Sequence, residues 1–250
     1  MIFNPIVPKM EQPTYISSLA VGSSVWCNVN GTRTEFIVVN QGIPSNSTLY
    51  DNSCDGTWLL MKDVYGLQYW GNSAAGNNYK NSSIHAYLNS TFFGMFDTSV
   101  QNVIKQSKIP YFSDSLQSGA DGLLCKIFLL SCYELGWTQS DDGYFPIDGA
   151  KLDYFMNGTT ASANNKRKAY YNGSGVIWWQ RSRYLGDSMA VWTVVGTGAP
   201  STATPYGSSD GVRPAFILPF DTKIDKDNNI IAPPPVSRKS SNIIGMNRRI

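Results

Sequence analysis

Three apolar runs in the last third of the chain decide the fold: Val176-Ile177-Trp178-Trp179, Ala190-Val191-Trp192-Thr193-Val194-Val195 and Val212-Arg213-Pro214-Ala215-Phe216-Ile217-Leu218. Each is short, rich in β-branched and aromatic residues, and joined to the next by polar or Gly-rich sequence, which is the pattern of strands linked by loops. The N-terminal part repeats it. Val25-Trp26-Cys27 and Phe36-Ile37-Val38-Val39 flank Asn30-Gly31, a pair suited to the positive φ angles of a hairpin turn. Thr57 to Asp63, opened by Asp55-Gly56, is a further strand. Between these strand-rich ends, Ile84, Tyr87, Leu88, Thr91 and Phe92 recur at i, i+3, i+4, i+7 and i+8, one face of a helix capped by Asn81 or Ser82. A second helix is expected from Asp97, burying Val100, Val103 and Ile104 and ending at Pro110. The second half of Leu123 to Leu130 is expected to be a buried strand followed by a turn at Ser131 to Gly136. Ala150 to Met156 is expected to be a short helix and Gly158 to Lys168 a polar loop. Strands at both ends with helices between them favour an α+β domain with mixed or antiparallel sheets over an alternating parallel sheet.

Charged residues are only 15% of the 250-residue chain, so polarity rests on Asn, Ser, Thr, Gly and Tyr, a composition shared with adaptable binding surfaces. The net charge is +2 and no Lys/Arg stripe crosses the body, which excludes a phosphate-tracking groove and argues against a nucleic-acid partner. The one basic cluster, Arg238, Lys239, Arg248 and Arg249, lies in the tail. No apolar stretch reaches the ~18 residues of a membrane span. Met1 to Pro5 lacks the charged and apolar regions of a secretory leader, so synthesis in the cytoplasm without membrane insertion is expected. Cys27, Cys54, Cys125 and Cys132 show no CxxC spacing, and His85 alone cannot complete a zinc site with them. They are expected to be buried thiols, with a Cys27–Cys54 bridge as the alternative; no metal or cofactor is expected. The Asn-x-Ser/Thr triplets at Asn30, Asn46, Asn81, Asn89, Asn157 and Asn172 are expected to mark turns. The plan is an extended arm over residues 1–17 broken by Pro5, Pro8 and Pro13, one domain over 18–225, and a linker and tail over 226–250 opened by Pro233-Pro234-Pro235.

Catalytic signatures are missing: there is no G-x-S-x-G, phosphate loop or H-E-x-x-H, and His85 sits beside the apolar stripe of its helix. Asp141-Asp142-Gly143 with Asp148 offers calcium-type oxygens, but the spacing is that of a turn. Glu134 with Asp153 is the pair a glycan-acting enzyme would need. Arg181 and Arg213 fall inside apolar strands, where a guanidinium must be paired; with Trp178 and Trp179 they are expected to be structural, direct ligand contact being the alternative for the arginines. The tract between these anchors is polar, small or aromatic. Gln180, Arg183, Tyr184, Asp187, Met189, Trp192, Thr197, Ser201, Thr204 and Tyr206 are the expected exposed contact residues. Of these, strand alternation also allows Trp192, bracketed by Val191 and Val195, to point inward.

Trp178-Trp179-x-Arg181-Ser182, Val191-Trp192 and Gly211-Val212-Arg213-Pro214-Ala215-Phe216-x-Leu218 resemble the end of a domain-of-unknown-function family of gut Firmicutes and their phages. Ser83-Ile84-x-x-Tyr87-Leu88-Asn89 and Gly149-Ala150-Lys151-Leu152-Asp153-Tyr154-Phe155 share that resemblance, which covers about residues 18–220. The closing Gly-Val-Arg-Pro-Ala-Phe is also similar to the final strand of C-type-lectin-like folds, among them relatives of the formylglycine-generating enzyme and the variable receptor-binding proteins made by diversity-generating retroelements. That resemblance implies a C-type-lectin-like single domain whose loops on one face bind ligand. Gln180 and Arg183 stand where Leu and Pro are expected, which suggests a varied surface. No cysteine follows Cys132, whereas the formylglycine enzymes use a reactive pair near their C-terminus. The resulting expectation is a non-enzymatic, homo-oligomeric phage virion protein. Its arms would hold capsid or tail proteins, and its lectin-like face would meet a bacterial cell-surface glycan or protein. A purely structural capsid or tail decoration protein and a glycan-acting enzyme are the alternatives.

Overall fold

The computed structural model describes residues 14–45, 48–72 and 76–231. Most of the expected N-terminal arm, Asn46, and the tail from Ala232 with its prolines and basic residues lie outside the described residues. Nine strands form the two main sheets: β1 (Ser24–Val29), β2 (Thr32–Gln41), β3 (Thr57–Met61), β4 (Gly66–Gln68), β5 (Trp178–Arg183), β6 (Val191–Val194), β7 (Pro200–Ala203), β8 (Asp210–Val212) and β9 (Ala215–Leu218).

The antiparallel sheet has the order β9-β3-β2-β1. Asn30 and Gly31 both take positive φ (51° and 72°), the conformation that joins β1 to β2 with the twist of the strands, as the Asn-Gly pair predicts. The mixed sheet has the order β7-β6-β5-β8-β4, antiparallel except where β5 runs beside β8 with Trp178 opposite Gly211. The run from Val212 to Leu218 is therefore not one strand: it leaves the mixed sheet at Val212 and enters the antiparallel sheet at Ala215. Pro214 has no N–H for a ladder, so the crossing falls at Arg213-Pro214. The short edges β4 and β7 carry no apolar run and are not legible in the sequence.

Phe36, Trp58, Trp178, Val191 and Val212 share one core with Ile84, Leu88 and Phe92. Its centre is edge-on aromatic packing: Phe216 lies 5.0 Å from Phe36 and 5.4 Å from Phe96. Each such side chain contributes about 2 kcal/mol by burial. The helical stripe forms as Ser82 caps Ser83–Tyr87 by accepting from the His85 N–H, but the next turn, Leu88–Phe92, widens to a π-helix. The stripe is narrower than expected, since Tyr87 is half-buried and Thr91 exposed. Asn89 belongs to that helical turn rather than a loop; its side chain accepts from Lys126 and Ile127 N–H and donates to Ile127 O.

Other expectations need correction. The second helix, Thr98–Val103, stops before Pro110 because Ser107–Ile109 already pairs as a strand with Leu123–Cys125. The strand in Leu123 to Leu130 is thus in its first half. The second half is buried and irregular, with one bridge from Phe128 to Ala215. Ala150 to Met156 forms no helix, because tertiary acceptors capture its N–H groups: Tyr50 Oη takes Ala150, Glu134 O takes Leu152, Asn40 Oδ1 takes Asp153 and Val39 O takes Tyr154. The helix is instead Ala161–Arg167, capped by Thr160, within the stretch expected to be a loop. Described residues flanking the 18–225 span also pair with it or pack against it. Thr14–Tyr15 pairs with Lys223–Ile224, Ile16 is buried, and Ile230 N–H donates to Trp26 O alongside β1. No helix among the described residues is long and apolar enough to cross a membrane.

Candidate functional site

Strand β5 organises the site from its buried side. Arg181 is 1% exposed, and its guanidinium donates to both carboxylate oxygens of Glu134 (2.5 and 2.6 Å) and to the carbonyls of Pro110, Leu129 and Asp148. Glu134 also accepts from Tyr50 Oη and Ser131 N–H, so every lone pair that faces inward is used. Ser182 donates to Asp148 Oδ2, and burial, above all, pushes the Asp148 carboxyl up to about 7. Arg213, 1% exposed, donates to Met61, Lys62 and Arg167 carbonyls and lies 5.0 Å from the Trp178 ring. It braces the point where the chain changes sheets. Both arginines have the internal contacts expected of structural residues, and Trp178 and Trp179 are fully buried beside them. Glu134 is consumed by Arg181, and Asp153 is exposed, so the two do not share one buried site. Asp141 and Asp142 accept from Thr138 and Tyr144 N–H, which is turn chemistry. The four cysteines are free and buried, and burial pushes the Cys27 and Cys54 thiols up to about 12. His85 packs edge-on to Tyr79, and burial lowers its pKa.

Two expected contact residues are not on the surface. Gln180 is fully buried on β5, and Trp192 is 3% exposed on β6. Val191 pairs with Arg183 and Ala203, so alternation sends Trp192 into the layer formed by Phe145 and Trp137. Gln180 reads as polar and outward, but its side chain is fully buried, and its carbonyl accepts from the indole N–H of the buried Trp70.

The remaining contact residues separate by the register of the β6–β7 hairpin. Its 195–199 turn holds Thr197 at one end, and Ser201 lies along β7 opposite Thr193. The other end gathers Arg183, Tyr184, Asp187 and Met189 before β6 with Thr204 and Tyr206 after β7. There the buried Asn77 amide reaches the carbonyls of Tyr184, Asp187 and Ala190 (3.3, 2.9 and 2.9 Å) and fixes the 184–190 loop. Gly71 N–H donates to Pro205 O and brings the 69–72 segment alongside.

Residues that sequence reasoning missed complete this end. Tyr144 and Leu185 are exposed, and Leu185 N–H donates to Tyr144 O. Tyr144 lies 5.0 Å from Tyr184, which lies 5.3 Å from Trp192, which lies 4.1 Å from Phe145. An aromatic ladder thus runs from the core to a surface pair of tyrosines. Partial burial, the Tyr144 phenol and the carboxylates of Asp142 and Asp187 raise the Tyr184 phenol above its usual range. Arg183 turns to the other side of β5, donates to Ser113 O and lies over the Phe112 ring. In Tyr144-Phe145-Pro146-Ile147, which follows the Asp141-Asp142-Gly143 turn, Tyr144 and Ile147 are exposed and Phe145 and Pro146 are buried, a pattern with no period of two that could have marked Tyr144 in the sequence. Two open grooves lie elsewhere, of about 300 Å³ between Asn30 and Tyr65 and about 230 Å³ beside Trp26, Arg33 and Asp97.

No curated protein and no solved structure matches the chain. A family described as a domain of unknown function, DUF6273, matches residues 55–220, from the start of β3 past the end of β9 and across the whole aromatic end of the mixed sheet; the chain belongs to that family.

Proposed function

We propose that this chain is a non-enzymatic binding module whose ligand meets the Tyr144–Tyr184–Leu185 face. The observation that carries the reading is the fixed aromatic pair: Tyr144 and Tyr184 rest on the buried Trp192–Phe145 stack, and Asn77 pins the loop that presents Tyr184. Rigid aromatic area offered by loops on a packed framework binds at low conformational cost. A C-type-lectin-like arrangement, in which loops at one end of a mixed sheet recognise a cell-surface glycan, is the reading we favour. Its setting is a homo-oligomeric phage virion protein, with capsid or tail proteins as the partners of its arms. The sequestration of Glu134 by Arg181 favours binding over glycan cleavage.

The test is binding of labelled protein to host-type bacterial cells and to their purified surface polysaccharide, before and after Tyr144→Ala and Tyr184→Ala. Anchors of this kind are worth ~2 kcal/mol or more, so each change should weaken binding about thirtyfold with the thermal transition preserved. Unchanged binding by the double variant overturns the reading. A map of the parent particle with this face against a neighbouring subunit makes it an assembly surface and the protein a decoration protein.

A further inference from the structure

We propose that the Tyr144–Tyr184 face takes a sugar bearing a free, protonated amine, an amino-sugar unit of a surface polysaccharide, in preference to the neutral N-acetylated form. The inference rests on the binding reading above and adds the charge of the ligand to it.

Two tyrosine rings, 5.0 Å apart and inclined at 53°, are flanked by Asp142 on the segment that carries Tyr144 and by Asp187 on the loop that carries Tyr184. Each carboxylate spends one oxygen on a main-chain N–H: Asp142 Oδ1 accepts from Tyr144, and Asp187 Oδ1 accepts from Met189. Among the described residues neither carboxylate has an ion-pair partner. Arg183, the cation at this end of β5, directs its guanidinium to Ser113 O and Phe112 on the other side of the strand. The face therefore presents electron-rich rings beside two uncompensated negative charges. An ammonium is drawn to both, through the ring quadrupole and through Coulomb attraction. A pyranose places its flat C–H face on a tyrosine ring while an amine on the same ring reaches a carboxylate. Acetylation removes the charge and keeps the flat face. A cage for a quaternary ammonium closes more ring faces around the cation than this site offers, since Trp192 is buried beneath Tyr184.

The experiment is calorimetric titration of the full chain with a glucosamine tetramer and with its N-acetylated counterpart, at low and high salt. The glucosamine tetramer should bind about three- to tenfold more tightly, the worth of two exposed ion pairs. That preference should shrink as salt rises. Asp142→Asn with Asp187→Asn should erase the preference, so that the two tetramers bind alike. Tyr184→Ala should weaken both. Equal or tighter binding of the acetylated tetramer, or a preference that survives the double Asn variant, overturns the amine assignment and leaves the binding face standing. If neither tetramer binds while Tyr184→Ala still abolishes attachment to cells, the amine assignment alone is again overturned. Full glucosamine-tetramer binding by the Tyr144→Ala, Tyr184→Ala variant overturns both.

Discussion

Replacing Arg181 with Met leaves the Glu134 carboxylate in a site with no solvent and no counter-charge. Arg181 and Glu134 have side chains that are both 0% exposed and are joined by two contacts at 2.5 and 2.6 Å. Three carbonyls, of Pro110, Leu129 and Asp148, lose a donor at the same time. Tyr50 Oη and Ser131 N–H still donate to Glu134 but cannot neutralise it. Breaking a buried pair from one side costs about 3–5 kcal/mol. In a domain of this size each kcal/mol moves the thermal midpoint by about 2–4 °C, so the variant should melt about 6–20 °C lower by calorimetry. Adding Glu134→Leu removes the stranded charge, and the double variant should recover a large part of the loss. An Arg181→Met protein that melts within about 3 °C of the parent would refute the idea that this guanidinium braces the 130–148 segment to β5.

Asp148 predicts a pH dependence with a definite sign. Burial raises its folded-state carboxyl to about 7, against about 4 in the unfolded chain, so the folded protein holds a proton that the unfolded chain releases. The contribution is fully present below about pH 4 and is lost as pH rises through about 7; Asp148→Asn should flatten the fall in midpoint between pH 5 and 8, and an unchanged slope would place the titration elsewhere. Arg213→Met removes the donor of Met61, Lys62 and Arg167 carbonyls at the sheet crossing and should cost about 2–4 kcal/mol, leaving ligand binding by the folded fraction intact. Loss of binding at unchanged midpoint would move Arg213 into the ligand site.

What local physics governs was legible in the residues. Asn30-Gly31 specified its hairpin because few dipeptides accept two positive φ angles. Ile84, Leu88 and Phe92 specified a helical face, and Asn81 or Ser82 its cap, of which the fold uses Ser82. Arg181 and Arg213 announced internal braces, because a guanidinium inside an apolar strand must find oxygen acceptors. The α+β character followed from where those signals fall along the chain. Four features were decided only in three dimensions. The segment at 150–156 gave its N–H groups to Tyr50, Glu134, Asn40 and Val39, partners far away in sequence, and so formed no helix. Gln180 is fully buried, with its carbonyl taken by the distant Trp70 indole, which no period within β5 can signal. Tyr144 reaches Tyr184 across about forty positions of chain, and the sequence marks neither as the other's partner. The contact tract itself was divided by the register of β6 against β7, which carries Thr197 to one end of the hairpin and leaves Tyr184, Asp187 and Tyr206 at the other. Periodicity fixes which way a side chain points along its own element, whereas burial and proximity depend on what the rest of the chain lays over it.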